Sequence, residues 1–189
     1  MLSRCIYVLA AVGCQGKSEV PPAPSGPAPI VVQDGKSVTL AELRPGHPCR
    51  AQIGPVEMII GGPPLVAQVG DAHWMGDDGS NGTTLLRGTD AVARVFPVGD
   101  PTQVAVLDNQ GVAMARISVS GGDAIVSNAR GQLVRRLHTK VGGTIEVDQP
   151  AATATGTNDL VLVALLTTAE IPPEVRMLAA CQRVLVKGS

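Results

Sequence analysis

The stretch between Gly70 and Thr83 holds the densest group of side chains that could do chemistry. Three carboxylates and an imidazole surround the only tryptophan of the chain: Asp71, His73, Trp74, Asp77 and Asp78. A calcium loop is not indicated, because Gly79 stands at a ligand position and the distal glutamate is missing. Zinc would need a second histidine near His73. The segment therefore predicts no metal site, and two hypotheses stay open. One is a ligand-binding loop, and the other is a solvated, turn-rich loop whose Trp74 plugs the edge of the core.

The patterns of common catalytic families do not occur in the sequence. It has no G-x-S-x-G elbow, H-E-x-x-H helix, P-loop or G-x-G-x-x-G turn. The basic run from Arg135 to Lys140, which includes Arg136 and His138, alternates along a predicted strand. This run favours a solvated sheet face, with a patch for an anionic glycan or lipid headgroup as the alternative. The sequence thus identifies no catalytic residue and no cofactor, and it favours a protein that is not an enzyme.

The first fourteen residues have the composition of a secretory signal. Arg4 gives a positive start, Ile6–Val12 is apolar, and small residues precede Cys14. The end of this segment, Ala11-Val12-Gly13-Cys14, resembles the lipobox of bacterial lipoproteins. That resemblance implies a signal peptide over residues 1–13 and attachment of lipid, with acyl chains such as palmitate, at Cys14. Gln15 then implies the outer membrane, because an aspartate at that position is the usual retention signal.

A proline-rich segment follows the lipidation site. Residues 14–29 contain Pro21, Pro22, Pro24, Pro27 and Pro29 and almost no apolar bulk. Proline fixes φ and removes a hydrogen-bond donor, so such a segment is an extended, semi-rigid spacer. The sequence predicts a tether that holds a domain, residues 30–189, away from the membrane.

The lipoprotein resemblance also bears on the four cysteines. Cys5 would leave with the signal peptide and Cys14 would carry lipid, so Cys49 and Cys181 remain. In an oxidising compartment this pair is expected to form a disulfide. Two unrelated buried thiols are the alternative, and no spacing typical of a zinc site occurs.

The composition of the domain favours short strands. Glycine and proline are abundant, and aromatics make up 2 % of the chain, so the core must consist of aliphatic side chains. Alternating apolar residues predict strands at Ile30–Val32, Ser37–Leu40, Cys49–Ile53, Glu57–Ile60, Leu65–Val69, Thr83–Arg87, Val92–Phe96, Gln103–Leu107, Val112–Val119, Ala124–Ser127, Leu133–His138 and Thr144–Val147. The predicted fold is mainly β, an antiparallel meander of hairpins in a small barrel or sandwich, with a C-terminal helix.

A loose hairpin repeat supports that fold. The segment around Gly111 recurs around Gly131, a spacing of 131 − 111 = 20 residues, and Gly62 and Gly82 extend the same spacing. Each unit is predicted to be a strand, a turn in which glycine supplies a positive φ, and a second strand.

The C-terminal part has a different character. Asp159 and its neighbours offer N-cap side chains before Leu160–Leu166, which could form a short helix or a buried strand. Pro172, Pro173 and Glu174 predict the start of a helix. Its apolar face would pack on the sheet and bring Cys181 to Cys49.

Charge bears on the class of partner. The formal net charge is −1, from 15 basic and 16 acidic residues, and stacking aromatics are scarce, so a nucleic-acid partner is not expected.

The leading hypothesis is a non-enzymatic, outer-membrane lipoprotein whose domain binds or scaffolds an envelope protein or glycan. The alternatives are a metal- or ligand-dependent enzyme using Asp71–Asp78, and an assembly subunit that offers exposed strand edges.

Overall fold

The computed structural model describes residues 26–79, 82–98 and 100–187, so the predicted signal peptide and Cys14 lie outside the described residues. Within these ranges the chain forms fourteen strands and then two helices. The strands are β1 Ile30–Asp34, β2 Thr39–Arg44, β3 Cys49–Ile53, β4 Val56–Gly61, β5 Leu65–Val69, β6 Ala72–Gly79, β7 Gly82–Arg87, β8 Asp90–Val98, β9 Asp100–Asp108, β10 Ala113–Ser120, β11 Asp123–Ser127, β12 Leu133–Thr139, β13 Ile145–Val147 and β14 Ala152–Thr155. The helices are α1 Leu160–Thr167 and α2 Pro173–Lys187.

The strands form one closed antiparallel barrel. Each strand pairs with the next along the chain, and β1 pairs with β14, with Val31 opposite Thr155 and Asp34 opposite Ala152. The expected β-rich meander is therefore confirmed in its barrel form. Closure gives every described strand two neighbours, so none of them offers the exposed edge that the assembly-subunit alternative requires.

Burial alternates along the strands. In β3, Cys49, Ala51 and Ile53 are buried while Arg50 and Gln52 are exposed. The same period of two places apolar side chains on the inner face of most strands, where they join one hydrophobic core. The outer face carries polar side chains together with exposed apolar ones, among them Ile59, Val66, Met75 and Ile125.

Four of the described hairpins share one three-residue loop. In each, the first residue exchanges backbone hydrogen bonds with the fourth and fifth: Asp34–Val38, Asp108–Val112, Asn128–Gln132 and Lys140–Thr144. The fourth residue has a positive φ of 63°, 81°, 72° or 78° at Ser37, Gly111, Gly131 and Gly143. In the first three loops the opening Asp or Asn side chain also accepts two backbone N–H groups. The repeat between Gly111 and Gly131 is thus a repeat of turn geometry.

The extension of that repeat to Gly62 and Gly82 is wrong. Their φ values are 152° and 129°, unlike those of the shared loop. Gly82 opens β7, where a side chain would overlap Phe96 and the carbonyl of Val95. Glycine is needed at position 82 because the strands pack closely there. Its distance of 82 − 62 = 20 residues from Gly62 is a coincidence.

Two strands were not predicted. The stretch from Gly70 to Thr83, predicted as a loop, is mostly strand β6, which pairs with β5 and β7. His73 and Asp77 lie on the outer face of β6, so they do not interrupt the ladder. β14 was missed because Ala152–Thr155 consists of alanine and threonine, and its two buried alanines give little apolar signal.

The C-terminal segment forms two helices. Asp159 caps α1, because its side chain accepts hydrogen bonds from the N–H groups of Val161 and Leu162. This cap decides between the helix and the buried strand that the sequence left open. Leu160–Leu166 is buried all round, which a helix in a protein interior requires. Among the described helices, none combines the length and apolarity needed to cross a membrane.

The helices lie against the buried sides of strands on both sides of the β1–β14 junction. α1 contacts β2 and β10–β12, whereas α2 contacts β2–β4 and α1. Arg183 of α2 forms an ion pair with Asp159, at 2.7 Å between Nε and Oδ2, which links the start of α1 to α2.

Candidate functional site

The predicted ligand-binding set does not converge on one site. Alternation along β6 exposes His73 and Asp77 on the outer face and buries Trp74, which is 5 % exposed. Asp71 lies exposed in the turn before β6. The guanidinium of Arg87 lies over the Trp74 ring at 6.0 Å from its centroid. This placement agrees with the alternative in which Trp74 fills the edge of the core.

Asp78 has a separate role at the end of β6. Its Oδ1 accepts a hydrogen bond from the Thr83 hydroxyl at 2.6 Å and another from the Gln182 amide. Gln182 belongs to α2, so these bonds connect the β6–β7 hairpin to the helix. In the part of the chain that the structure describes, no three His, Cys, Asp or Glu side chains are grouped where they could hold a metal ion.

Cys49 and Cys181 are joined by a disulfide. Their Sγ atoms are 1.96 Å apart, their Cα atoms are 5.9 Å apart, and both side chains are fully buried. The α2 face that carries Cys181 packs on β3, as the helical spacing predicted. A thiol nucleophile is therefore not offered by either residue.

The basic run on β12 is divided between the two faces of the sheet. Arg136 is exposed, and His138 Nδ1 lies 2.7 Å from Asp123 Oδ1 on the outer face. Lys140 pairs with Glu146 at 3.0 Å. These residues form the solvated face that the sequence predicts. Arg135 is the exception, because it points inward and is 6 % exposed.

Arg135 is only partly paired in this interior position. Its Nε donates to the carbonyl of Gln149 at 2.6 Å. Its Nη1 is buried and has no hydrogen-bond partner among the described residues. Burying a cationic donor without a hydrogen-bond partner costs free energy of folding, so such groups are rare in folded proteins.

A second arginine repeats this situation. Arg176 in α2 donates from Nη1 to the carbonyl of Leu166 at 3.1 Å, close to the C-terminal end of α1. Its Nε is buried and has no hydrogen-bond partner within the described ranges. The negative end of the α1 dipole favours a cation here, but the Leu166 carbonyl accepts from Nη1 and leaves the Nε–H unpaired.

Both arginines line one cavity of about 150 Å³. Its remaining wall comes from Thr167 and from apolar side chains of β2, β3, β13, β14, Pro150 and the end of α1. The Thr167 hydroxyl donates to the carbonyl of Val163 at 2.8 Å, so it is already engaged. The cavity is thus bounded by two arginine side chains, one threonine and otherwise apolar residues.

The electrostatics of the cavity are dominated by two like charges. Burial lowers the pKa of Arg135, with Glu170 acting in the opposite direction. Burial and the charge of Arg135 lower the pKa of Arg176, and Glu174 and Glu170 oppose this. No carboxylate of the described residues forms an ion pair with either guanidinium. Both groups stay protonated at ordinary pH, because arginine does not lose its proton in proteins.

This pair could not be identified from the sequence alone. Arg135 and Arg136 are adjacent, and the period of a strand puts one inside and one outside. The only available signal was the apolar alternation of Leu133, Arg135 and Leu137, which places Arg135 in phase with Leu137 on the buried face. Arg176 lies on another element, and nothing in its neighbours points to Arg135.

The chain was compared with protein-family models, curated proteins and solved structures, and nothing matched in any of the three comparisons.

Proposed function

We propose that this chain is an exported lipoprotein, anchored in the outer membrane through lipid on Cys14, whose β-barrel binds an envelope partner without catalysing a reaction on it. The observation that carries the proposal is the buried disulfide between Cys49 and Cys181. Structural disulfides form and persist in oxidising compartments and are rare in the cytosol. A disulfide in the folded domain and a lipobox-like segment before it point to the same destination.

The cavity between Arg135 and Arg176 supports binding over catalysis. Its wall offers cationic donors, and its one hydroxyl, on Thr167, is already hydrogen-bonded. Among the described residues, none that lines it is a histidine, carboxylate or cysteine. Such a wall can hold an anionic group but has no general base or activated nucleophile to transform it.

The position of the tether fits an anchored domain. β1 begins at Ile30, and Gly26–Pro29 before it is exposed without regular structure. A lipid on Cys14 followed by a proline-rich spacer would present the barrel to the surrounding envelope.

The test is the intact mass and the N-terminal peptide map of the chain expressed from Met1 in a Gram-negative host. We expect a mature chain that begins at an acylated Cys14 and is two hydrogens lighter than the dithiol form. A chain that keeps Met1 and two free thiols at Cys49 and Cys181 would overturn the proposal.

Two matched variants sharpen the test. Cys14→Ala should abolish the lipid while leaving the disulfide, because only the acceptor thiol is lost. Gln15→Asp should keep the lipid and move the protein from outer-membrane to inner-membrane fractions. If Gln15→Asp and the wild type fractionate identically, the outer-membrane part of the proposal is wrong.

A further inference from the structure

The cavity between β12 and α2 joins two cations that the fold does not neutralise. Arg135 and Arg176 each bind one backbone carbonyl, of Gln149 and Leu166. Each then keeps one buried N–H donor without a partner, at Arg135 Nη1 and Arg176 Nε. Both guanidinium side chains line the same cavity, and the charge of Arg135 lowers the pKa of Arg176.

The missing partner must be a hydrogen-bond acceptor that carries negative charge. Glu170 and Glu174 influence the two arginines electrostatically, but neither forms an ion pair with them. Guanidinium groups match the oxygens of carboxylate and phosphate groups better than a lysine does, since their donors lie in a fixed plane. The apolar remainder of the wall would strengthen such a charge-assisted bond by excluding water.

The size of the cavity limits what can enter it. Its volume of about 150 Å³ is below the range of about 300–1,000 Å³ that is typical of sites for drug-sized ligands. A single oxyanionic group with a few waters fits this space, whereas a nucleotide or a sugar ring with its substituents does not.

We propose that the cavity between Arg135 and Arg176 is a binding site for a small oxyanion, a phosphate or carboxylate group. The group bridges Arg135 of β12 and Arg176 of α2, and so ties the second helix to the barrel wall. This inference rests on the proposed binding function and names the chemistry of the ligand. It is tested on purified protein, so its failure is separate from a failure of the lipoprotein proposal, which is tested in cells.

The experiment is thermal unfolding of the full-length chain, followed by the fluorescence of Trp74. The probes are sodium phosphate and sodium acetate, each compared with sodium chloride at equal ionic strength. A ligand of the folded state raises Tm with the logarithm of its concentration, by about 5–10 °C at 100 times its Kd for a chain of this size. We expect phosphate, acetate or both to raise Tm above the chloride value.

Three variants locate the effect. Arg135→Gln and Arg176→Gln should lose the rise in Tm. Arg136→Gln is the matched control, because it removes the neighbouring charge on the outer face of the same strand, and it should respond as the wild type does. A response to phosphate alone identifies a tetrahedral group. Glycerol 3-phosphate then distinguishes a phosphate carried on a larger molecule from the free ion.

Two results would overturn the site. One is a wild-type Tm that follows ionic strength alone, with no difference between the oxyanions and chloride. The other is an oxyanion response that survives in Arg135→Gln and Arg176→Gln. If neither variant folds, calorimetric titration of the wild type with phosphate and acetate decides, since absence of binding in both titrations rejects the proposal.

Discussion

Cys49 in β3 and Cys181 in α2 are bonded to each other across 132 residues of sequence, with both side chains fully buried. The bond joins the third strand of the ring to the last element of the chain. It lies within the same core as the apolar side chains of both helices. Packing and covalent bonding therefore hold α2 in the same position.

Removing this bond should weaken the fold strongly. For a closed loop of this length the chain-entropy model gives about 5 kcal/mol, and losses of about 2–5 kcal/mol are typical. We expect Cys49→Ala with Cys181→Ala to lower the free energy of unfolding by that amount in urea titrations followed by Trp74 fluorescence. A reducing agent should have the same effect on the wild type and none on the double variant. Equal stability of oxidised and reduced wild type would contradict the structure.

The shared hairpin loop predicts that adding a glycine at position 37 stabilises the fold and that removing the glycine at position 131 destabilises it. Ser37 has a φ of 63°, which disfavours any residue with a Cβ, so Ser37→Gly should raise the free energy of unfolding by up to about 1 kcal/mol. Gly131→Ala should lower it by about 1 kcal/mol, although nothing lies within 4 Å of the added Cβ. The measurement is urea denaturation of both variants. A destabilising Ser37→Gly would mean that the loop geometry at Ser37 differs from that at Gly131.

Asp159 both caps α1 and binds Arg183, and two substitutions separate these roles. Asp159→Asn keeps a good cap but loses the ion pair, so we expect a loss of about 1 kcal/mol. Asp159→Ala loses both and should cost about 2–3 kcal/mol. Asn158→Ala, at the exposed neighbour, serves as the control and should change the Tm little. Equal losses for the alanine and asparagine variants would show that the cap contributes nothing.

The side chains of β6 allow a test of the ligand-site hypothesis from the sequence. His73→Ala and Asp77→Ala remove exposed groups on the outer face and should change the free energy of unfolding by less than about 0.5 kcal/mol. Asp78→Ala should cost about 1–2 kcal/mol, because it removes the acceptor for Thr83 and Gln182. Calorimetric titration of the wild type with Zn²⁺ and Ca²⁺ completes the test. Metal binding that is lost in His73→Ala and Asp77→Ala with the fold intact would revive the enzyme alternative.

The sequence predicted most of the barrel because its strands alternate. Apolar residues at every second position predict twelve of the strands. The turns at Gly111 and Gly131 are predicted because glycine readily adopts the positive φ that such turns need. Closure was not predictable, since the pairing of β1 with β14 joins segments about 120 residues apart and depends on no local pattern. The Arg135 cavity was not predictable for the same reason, because it depends on segments that are distant in sequence. Its chemistry arises where β12 meets α2, and local periodicity reports only which face a residue occupies.

β6 shows a different limit. Its outer face carries His73 and Asp77, polar residues that are typical of a loop, and these mask the period of two set by Trp74 and Gly76. Glycine at position 76 contributes no apolar signal although it is buried. It lies against the side chain of Leu65, where a built Cβ would come within 3.0 Å. Residues that are buried because they are small are the ones that a hydrophobic pattern misses.

The pairing of β1 with β14 also sets the order in which the molecule can be completed. β1 has to wait for β14, and α1 and α2, which contact β2–β4 and β10–β12, follow later still along the chain. A chain in which α1 and α2 have not yet packed therefore exposes apolar strand faces, and such non-local topologies fold slowly. Deleting α2 alone should leave the pairing of β1 with β14 in place but expose apolar side chains of β3 and β4, so the shortened domain is expected to aggregate.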